Sequence, residues 1–519
     1  MSNSTSNTNN TSKINRREFI SAGVGLGVLT VLPNHVFAAK KQGLTAPSDK
    51  ICLLHIGCGT EGLAELPALL KSPDIEIIAV ADPNRESYDY IHWSENGLRD
   101  EMRRLIEEPT WKEGIKGIPG GRDVMKDVVE RYYRKKRAGY NGNITAVEDY
   151  REILTKIKDI DAVKIMSPDH HHAYQALDCL KNGKHAIMHK PLGNKMTEAM
   201  KVVDVAKASK LSTHMMAYNA FGDGNMDQIK KWIDAGAIGE LKEIHNWTNR
   251  PVWPQYPVIP TDTPPIPQGF NWDLWLGPAE MRPYNPQYTH ATFRGWYEFG
   301  AGAIADMGYY SLWSVFDALQ LNSATSVSTR FSRIVGLNSE NVPYTLVNDY
   351  SYPMAAAYRF EVPYKNRPGS IILQWHDGGM KPQRPEGYQE DDLPIEGMMF
   401  VGDKGAIVSG FLKQDPFIVG DRASMFRYVK GSPIEHPRNA LPDGTERWLQ
   451  TWIDGCRGKG KGPGSFEYAK EVNETFNLGS VSLMSNGKKL LYDPNSRTIT
   501  NDADANKLLT RKIRKGWEM

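Results

Sequence analysis

The feature that most constrains this 519-residue chain is a glycine-rich turn placed between two apolar runs. The first run, Ile51–Ile56, is suited to a parallel strand buried on both faces, and it leads directly into Gly57-Cys58-Gly59-Thr60-Glu61-Gly62. The second run is Ile75–Val80, and Asp82 follows at its end. A helix is expected over Leu63–Leu70, between the two runs. A strand, a helix and a strand within about thirty residues form one crossover unit, so the sequence predicts a dinucleotide-binding fold that starts here.

Each glycine of the turn has its own reason to be there. Gly57 allows a tight turn, Gly59 lets the backbone approach a pyrophosphate, and Gly62 permits close packing of helix on strand. Thr60 and Glu61 begin the helix, whose N-terminal amides attract phosphate oxygens. An ordinary glycine turn is the alternative, but the flanking strand and helix favour nucleotide binding.

Asp82 bears on the choice of nucleotide. It lies 20 residues after Gly62, at the end of the second strand, where a carboxylate accepts a hydrogen bond from the 2′-hydroxyl of the adenosine ribose. This placement favours NAD. Asn84 and Arg85 lie close enough in sequence to accommodate a 2′-phosphate, so NADP stays open.

The first 39 residues are predicted to be an export signal. They contain a polar Ser/Asn/Thr stretch, the twin arginines of Asn15–Ile20, an apolar run over Phe19–Leu32 and a small-residue cleavage site at Val36–Ala38. The apolar run is shorter than the roughly 20 residues that cross a bilayer, so a retained anchor is the weaker alternative. Because the twin-arginine export machinery carries folded proteins, we expect a periplasmic protein that crosses the membrane with its nucleotide bound.

Length, charge and cysteine content bear on the number of domains and on the partners that the protein can bind. About 480 residues follow the signal, enough for two or three domains. The 63 basic and 61 acidic residues give a formal charge of +2 without a long single-sign run, so no nucleic acid or anionic membrane is expected as a partner. Adjacent histidines at 170–172 point in different directions, and no metal site is predicted. The cysteines, which lack the spacing of a disulfide framework or a zinc site, are Cys52, Cys58, Cys179 and Cys456.

The chain up to residue 190 has the pattern of a parallel sheet covered on both faces, because strands alternate with helices. We therefore predict a Rossmann dinucleotide-binding domain over 49–190. An insertion near 86–143, with helices at 97–108 and 122–136, is a cover for the nucleotide, an oligomer contact or a solvated hairpin. The further predicted elements are a helix over Val147–Ile157, a strand over Ala162–Met166, a helix over His172–Lys181 and a strand over His185–Met188.

Residues 191–519 are predicted to form a second, α+β domain. Segments rich in aromatic and β-branched residues at 243–248, 357–362 and 370–375 suggest a large open, mostly antiparallel sheet. Such a domain would bind the substrate. The predicted fold class is thus α/β, with an N-terminal Rossmann domain followed by a C-terminal α+β domain.

Two groups of residues are candidates for catalysis. Lys190 follows the strand that ends at Met188, and ligands gather at the carboxyl ends of parallel strands. Asp306 and Tyr310 lie four residues apart and would share one helix face. A tyrosine beside a cationic lysine can act as acid or base toward an alcohol or a carbonyl. The alternatives are a surface lysine before a proline turn, and packing or capping residues on the helix.

At these places the chain resembles the Gfo/Idh/MocA family of oxidoreductases. Ser167-Pro168 with His172 matches the family's third nucleotide contact, His189-Lys190-Pro191 falls where the family has Glu-Lys-Pro, and Asp306 with Tyr310 falls where it has Asp and His. The tyrosine is the pattern of the glucose–fructose oxidoreductase branch, which is likewise exported with a tightly held nucleotide. The resemblance implies hydride transfer at a sugar or polyol carbon, with Lys190 and Tyr310 at the reacting hydroxyl and Asp306 orienting them. Homo-oligomers formed through the open face of the second domain's sheet are common in the family that the chain resembles.

Two departures from the family pattern affect the site. His189 replaces a glutamate that could pair with Lys190, which leaves open the charge of the lysine and the contact with nicotinamide. The arginine frequent in relatives is missing near 218–221, where Asn219 stands as a nucleotide contact. Candidates for the sugar pocket are chosen for aromatic faces that stack on sugars, for hydrogen-bond donors and by rough alignment. They are Trp247, Arg250, Arg294, Trp296 and His376.

The sequence therefore predicts an exported oxidoreductase that uses NAD or NADP on a sugar, a sugar derivative or a polyol. Since the periplasm has no nucleotide pool, the affinity should be nanomolar or better, about −12 kcal/mol. One rival is a glycoside hydrolase that oxidises, eliminates and reduces with the same bound nucleotide, as some members of the family do. The other is a non-catalytic sugar- or nucleotide-binding protein, because His189 interrupts the motif.

Overall fold

The computed structural model describes residues 49–218, 224–346, 348–426 and 446–519. The predicted export signal and Asn219 lie outside the described residues. Among the helices within these ranges, none combines the length and the apolar character that a bilayer crossing needs.

The first domain is built on a six-stranded, all-parallel sheet with the strand order β3-β2-β1-β4-β5-β6. The order reverses between β1 and β4, and in such sheets ligands bind at the carboxyl ends of the strands at this point. The strands are β1 (Ile51–Ile56), β2 (Ile75–Ala81), β3 (Thr145–Val147), β4 (Ala162–Ile165), β5 (His185–Met188) and β6 (Thr213–Met215). The helices are α1 (Thr60–Ala64), α2 (Leu66–Lys71), α3 (Gly97–Ile106), α4 (Arg122–Lys136), α5 (Arg151–Leu154), α6 (Asp169–Lys181), α7 (Met196–Ala208) and α8 (Gly224–Asp234).

The second domain is built on a nine-stranded sheet with the order β15-β14-β13-β7-β12-β11-β8-β16-β17, and β9 and β10 form a separate hairpin. All pairs in the large sheet are antiparallel except β7 with β12. The strands are β7 (Leu241–Trp247), β8 (Ser326–Phe331), β9 (Val335–Leu337), β10 (Pro343–Thr345), β11 (Ala356–Pro363), β12 (Ser370–His376), β13 (Gly397–Gly402), β14 (Ala406–Gly410), β15 (Phe417–Ile418), β16 (Leu490–Asp493) and β17 (Thr498–Ile499). The helices are α9 (Trp272–Leu276), α10 (Gly302–Leu319), α11 (Arg447–Cys456), α12 (Lys470–Met484) and α13 (Ala503–Lys507).

The main core lies between this large sheet and the helices α10 and α12. It holds fully buried aromatic side chains, among them Trp313 on α10, Trp375 on β12 and Phe400 on β13. Burial of one such side chain stabilises the fold by about 1.5–3 kcal/mol. The packing fixes α10, which carries both Asp306 and Tyr310, against the sheet.

Most predicted strands agree with the structure, while several helix limits differ. The helix expected over 63–70 is divided at Glu65 into α1 and α2, and α6 begins at Asp169 rather than at His172. The helix expected over 147–157 is wrong, because Thr145–Val147 is strand β3, paired with β2, and only Arg151–Leu154 is helical. A three-residue edge strand is too short to show an alternating pattern.

The segment near 86–143 is more than an insertion. Helix α4 is the crossover from β2 to β3, and its buried Val124 and Val128 pack with Leu53 of the sheet. Helix α3 adds the buried Met102 to the same cluster. The solvated-hairpin interpretation is therefore wrong, because both helices bury an apolar face.

The division between the domains lies later than residue 190. Strand β6 pairs with β5 and extends the first sheet to Met215. Helix α11 then returns from far along the chain, where Trp452 and Ile453 enter the core of the first domain and the Trp452 carbonyl accepts from Ser212 Oγ at 3.0 Å. The two domains are thus joined by more than one crossing of the chain.

Candidate active site

A cleft of about 1010 Å³ lies at the carboxyl ends of β1, β2 and β4, where the strand order reverses. Four parts of the chain line it: the first domain, helix α9 with the preceding Phe270, the segment at 290–294 before α10 and the C-terminus. The predicted nucleotide contacts among the lining residues are Gly57, Gly59, Thr60, Glu61, Gly62, Asp82, Ser167 and Pro168. The lining residues that sequence reasoning did not select include Tyr90, Tyr150, Trp275, His290, Phe293 and Trp517.

The glycine turn is shaped by close contacts that a side chain would prevent. Gly57 has φ +88°, and a Cβ there would lie 2.5 Å from the backbone carbon of Met166. A Cβ at Gly59 would lie 3.0 Å from the ring of Tyr90, which comes from the segment after β2. Because the glycines have no side chains, the backbone of the turn faces the cleft directly. The ring of Tyr90 lies against the turn at Gly59.

Asp82 is fixed by its own neighbourhood. Its two carboxylate oxygens accept from the backbone N–H groups of Cys58 at 2.6 Å and Asn84 at 2.8 Å, and burial raises the pKa of Asp82. Each oxygen keeps a lone pair for a ribose hydroxyl. The amide of Asn84 donates instead to Ser87 and Tyr90, so it is turned toward its own loop. This arrangement fits a ribose diol, as in NAD, better than a 2′-phosphate.

Lys190, Asp306 and Tyr310 come together beside this cleft. Lys190 Nζ donates to Asp306 Oδ1, and the same ammonium lies 5.6 Å from the centre of the Tyr310 ring. Arg294, which lines the cleft, places its Nε 3.4 Å from Asp306 Oδ1. Burial alone would raise the pKa of Asp306, but the neighbouring Lys190 and Arg294 lower it below its ordinary value. Asp306 is therefore an anion that holds two cations in place.

His189 binds Tyr310 and does not line the nucleotide cleft. Its Nε2 lies 2.8 Å from the Tyr310 hydroxyl. Burial, reinforced by the charge of Lys190, holds the pKa of His189 well below its ordinary value. At neutral pH the imidazole is therefore uncharged, and one of its nitrogens can accept a proton.

His172, predicted to be a nucleotide contact, has both ring nitrogens engaged by backbone carbonyls. Its Nδ1 lies 2.6 Å from the carbonyl oxygen of Pro191 and its Nε2 lies 2.8 Å from that of Ser167. The imidazole thus connects the loop after β5 to the loop after β4. It fixes the two loops that carry Lys190 and Ser167, and it is not among the residues that line the cleft.

The candidates for the sugar pocket divide into two groups. Arg294 and Arg250 face the reacting centre: the charge of Arg250 acts on Asp306, and its guanidinium lies 4.5 Å from the ring of Trp93. Of the five candidates only Arg294 lines the cleft, and the three that are not arginines have their side chains engaged elsewhere. The Trp247 and Trp296 indoles are buried in apolar clusters and donate to the carbonyls of Pro394 and Gln287, while His376 stacks on His245 of the large sheet.

The last twelve residues, 508–519, form a C-terminal strap that sequence reasoning missed. Trp517 reaches the cleft wall, where the Arg151 guanidinium lies 4.1 Å from its ring. Arg511 anchors the strap through a buried ion pair with Glu198 on α7, at 2.7 Å. Arg514 anchors it to the second domain through Asp273 on α9, at 2.5 Å. The only signal in the sequence was a tryptophan inside a short basic tail.

Glu61, Glu65 and His189 each offer one possible metal-ligand atom within 4.8 Å of the others. Two of the three are already engaged. The buried Lys164 places its Nζ 2.5 Å from Glu65 Oε2, and His189 Nε2 is bonded to Tyr310. A divalent cation would have to share Glu65 with an ammonium, so we interpret the group as an ion-pair cluster.

Two family profiles match the chain. Residues 128–217 match the profile described as an oxidoreductase family, NAD-binding Rossmann fold. Residues 223–330 match the profile described as an oxidoreductase family, C-terminal alpha/beta domain. The first domain is thus an NAD-binding domain, and the second is the C-terminal domain that accompanies it.

Individual proteins match over shorter stretches. An alpha-N-acetylgalactosaminidase from Shewanella oneidensis is 25% identical over 242 residues, which are 44% of this chain and 44% of that protein. A levoglucosan dehydrogenase from Pseudarthrobacter phenanthrenivorans is 33% identical over 106 residues, 20% of this chain and 26% of that protein. The chain therefore spans less than half the length of these curated relatives. A solved levoglucosan dehydrogenase in complex with NADH and levoglucosan has a TM-score of 0.47 at 15% identity, over 85% of this chain and 98% of that one.

Proposed function

Because the chain belongs to the Gfo/Idh/MocA oxidoreductase family, we propose that it is an exported oxidoreductase that uses NAD on a sugar, a sugar derivative or a polyol. The reaction transfers hydride to or from a carbon that bears a hydroxyl. One observation carries this proposal: Lys190, Asp306 and Tyr310 meet one another, and Arg294, which contacts Asp306 at 3.4 Å, lines the nucleotide cleft. An ammonium and a phenol at one place are the groups that an alcohol oxidation needs at its oxygen.

Lys190 and Tyr310 have different roles at the substrate oxygen. When bound in the cleft, the nicotinamide supplies the hydride acceptor or donor. Lys190, held by Asp306, donates a hydrogen bond to the hydroxyl oxygen and stabilises negative charge that develops there. Tyr310 accepts the hydroxyl proton or returns it. Because Lys190 is only 3% exposed, these charges act in a site from which most water is excluded.

Export and tight cofactor binding belong to the same proposal. The first 39 residues would engage the twin-arginine machinery and take the folded protein to the periplasm, where no nucleotide pool exists. A retained nucleotide is supported by the cleft, whose wall is closed by residues such as Tyr90, Arg294 and Trp517 from separate parts of the chain. Turnover then has to restore the oxidation state of the nucleotide on the protein.

The nucleotide content gives the first test. Protein purified from the periplasm should release about one nucleotide per chain on denaturation, at an affinity of nanomolar or better. Mass spectrometry should identify NAD rather than NADP, because Asp82 is an acidic group placed for a ribose diol. Protein that arrives without nucleotide and binds it only at micromolar concentration would contradict the proposal, and released NADP would contradict the assignment of Asp82.

A second candidate function is an NAD-dependent glycoside hydrolase, which the similarity to an alpha-N-acetylgalactosaminidase favours. The same residues would serve it. Transient oxidation of a ring hydroxyl makes the neighbouring C–H bond acidic, the aglycone leaves by elimination, water adds to the unsaturated ketone, and the hydride is then returned. Overall one glycosidic bond is hydrolysed and no substrate is oxidised.

Aryl glycosides distinguish the two functions. With the protein as purified and no added NAD, a hydrolase should release the phenol over many turnovers while the absorbance of reduced nicotinamide returns to its starting value. A dehydrogenase should release no phenol, and its bound nucleotide should remain reduced until a second, oxidised substrate is added. Phenol release from a Tyr310→Phe protein at the normal rate would show that neither scheme uses the proposed site.

A further inference from the structure

A short chain of polar side chains leads from Tyr310 away from the substrate side of the site. The Tyr310 hydroxyl lies 2.8 Å from His189 Nε2, and Glu65 Oε1 lies 3.8 Å from the same nitrogen. The side chain of His189 is 9% exposed and that of Glu65 is 21% exposed, so the chain runs from the buried phenol toward solvent. No step at the substrate oxygen requires His189 or Glu65 to be there.

Glu65 is held in this position by two features of the fold. It stands at the break between α1 and α2, and its Oε2 pairs at 2.5 Å with Lys164, whose side chain is fully buried. The second oxygen, Oε1, is the one that faces His189. A carboxylate is thus present beside position 189 although the glutamate expected in the motif is replaced by histidine.

We propose that Tyr310, His189 and Glu65 form a proton relay, in which His189 takes the proton from Tyr310 and Glu65 stabilises the resulting imidazolium. The inference rests on the proposed function, because it needs a reaction that delivers a proton to Tyr310. His189 and Glu65 act through Tyr310 and are positioning residues rather than catalytic ones.

The relay balances the oxidation of an alcohol. The hydroxyl loses a proton as the carbon loses a hydride, whose electron pair goes to the nicotinamide of the proposed function. The proton passes to the Tyr310 oxygen as the Tyr310 O–H bond breaks and a new N–H bond forms at His189 Nε2. The phenol is regenerated neutral, and the imidazolium faces the Glu65 carboxylate. Glu65 Oε1 lies 3.8 Å from that nitrogen, beyond hydrogen-bond distance, so the proton stays on the imidazolium until reduction returns it to Tyr310 by the same path.

Several charges around His189 decide how readily it takes the proton. Four neighbouring groups lower the pKa of His189 by opposing a positive charge on its ring. They are Lys190, which is the next residue in the chain, Arg294 from the loop before α10, His172 on α6 and Lys164 on β4. Two carboxylates favour that charge: Glu65, whose Oε1 lies 3.8 Å from His189 Nε2, and Glu61, which has an oxygen within 4.8 Å of a ring nitrogen. Replacing the Glu65 charge should therefore lower the pKa of His189 further and weaken it as a proton acceptor.

Glu65→Gln tests the relay without changing the shape of the site. We expect kcat to fall about tenfold, the effect of one pKa unit, while KM and the nucleotide content stay at their wild-type values. Because the reaction needs neutral His189, the acid limb of the pH profile of kcat should shift to lower pH when the pKa of His189 falls. Glu471→Gln is the matched control: Glu471 pairs with Lys365 at 3.1 Å, is 17% exposed, and lies on α12 outside the site.

The single variant leaves Lys164 buried without its partner, which can destabilise the protein. The double variant Glu65→Gln with Lys164→Met removes both charges, and because Lys164 opposes the imidazolium, the relay predicts a smaller shift of the pH profile in the same direction. If either Glu65 variant folds and keeps both the wild-type kcat and the wild-type pH profile, as Glu471→Gln should, the relay is wrong.

A measurement that does not depend on turnover examines the same inference. In ¹⁵N-histidine spectra of the protein as purified, the signals of His189 are those lost in His189→Gln. We expect the tautomer with Nε2 unprotonated, accepting from Tyr310, and a changed Nε2 shift in Tyr310→Phe. A protonated Nε2 that donates to Tyr310 at neutral pH would overturn the relay. If the protein oxidises no sugar, the proposed function is contradicted. The hydrogen bond between Tyr310 and His189 is then still tested by this spectrum.

Discussion

Replacing Tyr310 with phenylalanine should lower kcat by about 10²- to 10⁴-fold, the usual contribution of a general acid or base. The change removes one oxygen and keeps the ring that packs near Lys190. Because Lys190 remains paired with Asp306, binding of the sugar and of the nucleotide should change little. Steady-state kinetics with a sugar found by screening measures kcat and KM, and mass spectrometry measures the nucleotide that is retained.

Tyr309→Phe is the matched control for this prediction. Tyr309 is the preceding residue on the same helix, and its hydroxyl donates to Asn473 at 2.6 Å within the core. Its loss should cost about 1 kcal/mol of stability, the net value of one hydrogen bond, and should leave kcat near the wild-type value. Equal losses of kcat in the two variants would mean that Tyr310 acts through the stability of α10. Full turnover by Tyr310→Phe would favour the non-catalytic binding protein, or a different catalytic group.

The placement of Lys190 at a strand end and of Asp306 and Tyr310 on one helix face was predictable because each signal is local. Lys190 follows an apolar strand whose carboxyl end must face the cleft of a parallel sheet. Asp306 and Tyr310 are four residues apart, so any helix brings them to one face. That the two faces meet could not be derived from spacing, and it came from the resemblance to a family.

The partners behind these residues could not be predicted, because they depend on distant parts of the chain. His189 was interpreted as a nucleotide contact from its place in the motif, yet its side chain is directed to Tyr310. Glu65 meets it only because the helix after the glycine turn breaks there, and the signal for the break, Pro67 in the first turn of the second helix, was missed. Trp247 and Trp296 have the aromatic faces that a sugar site uses, but the same faces fill apolar clusters.

The fold shows the same division between local and distant signals. The long buried strands and α4 follow from apolar runs and helical periodicity, and they agree with the structure. Strand β3 is defined only by its pairing with β2, and α11 joins the first domain from more than 200 residues beyond β6. Such contacts need knowledge of the partner segment, which a pattern in one window does not contain.

Replacing Trp517 with alanine should speed release of the bound nucleotide by about 10- to 100-fold, which corresponds to about 1.4–2.8 kcal/mol and is typical of removing a large aromatic group from a binding site. Trp517 lines the cleft, and the Arg151 guanidinium supports its ring at 4.1 Å. Loss of the indole opens that wall to water. The measurement is the rate at which nucleotide appears outside the protein after dilution and rapid filtration, with mass spectrometry for detection.

The control has to separate the indole from the strap that carries it. Lys512→Ala changes an exposed residue of the same strap, whose ammonium has only a surface contact at 3.4 Å, and it should retain nucleotide like the wild type. Arg511→Met removes the partner of buried Glu198, so it should both destabilise the protein and release nucleotide faster. If Trp517→Ala releases its nucleotide as slowly as Lys512→Ala does, the strap contributes to the stability of the fold and not to nucleotide retention. Retention then depends on the other walls of the cleft, of which Tyr90 over the glycine turn is the next to replace.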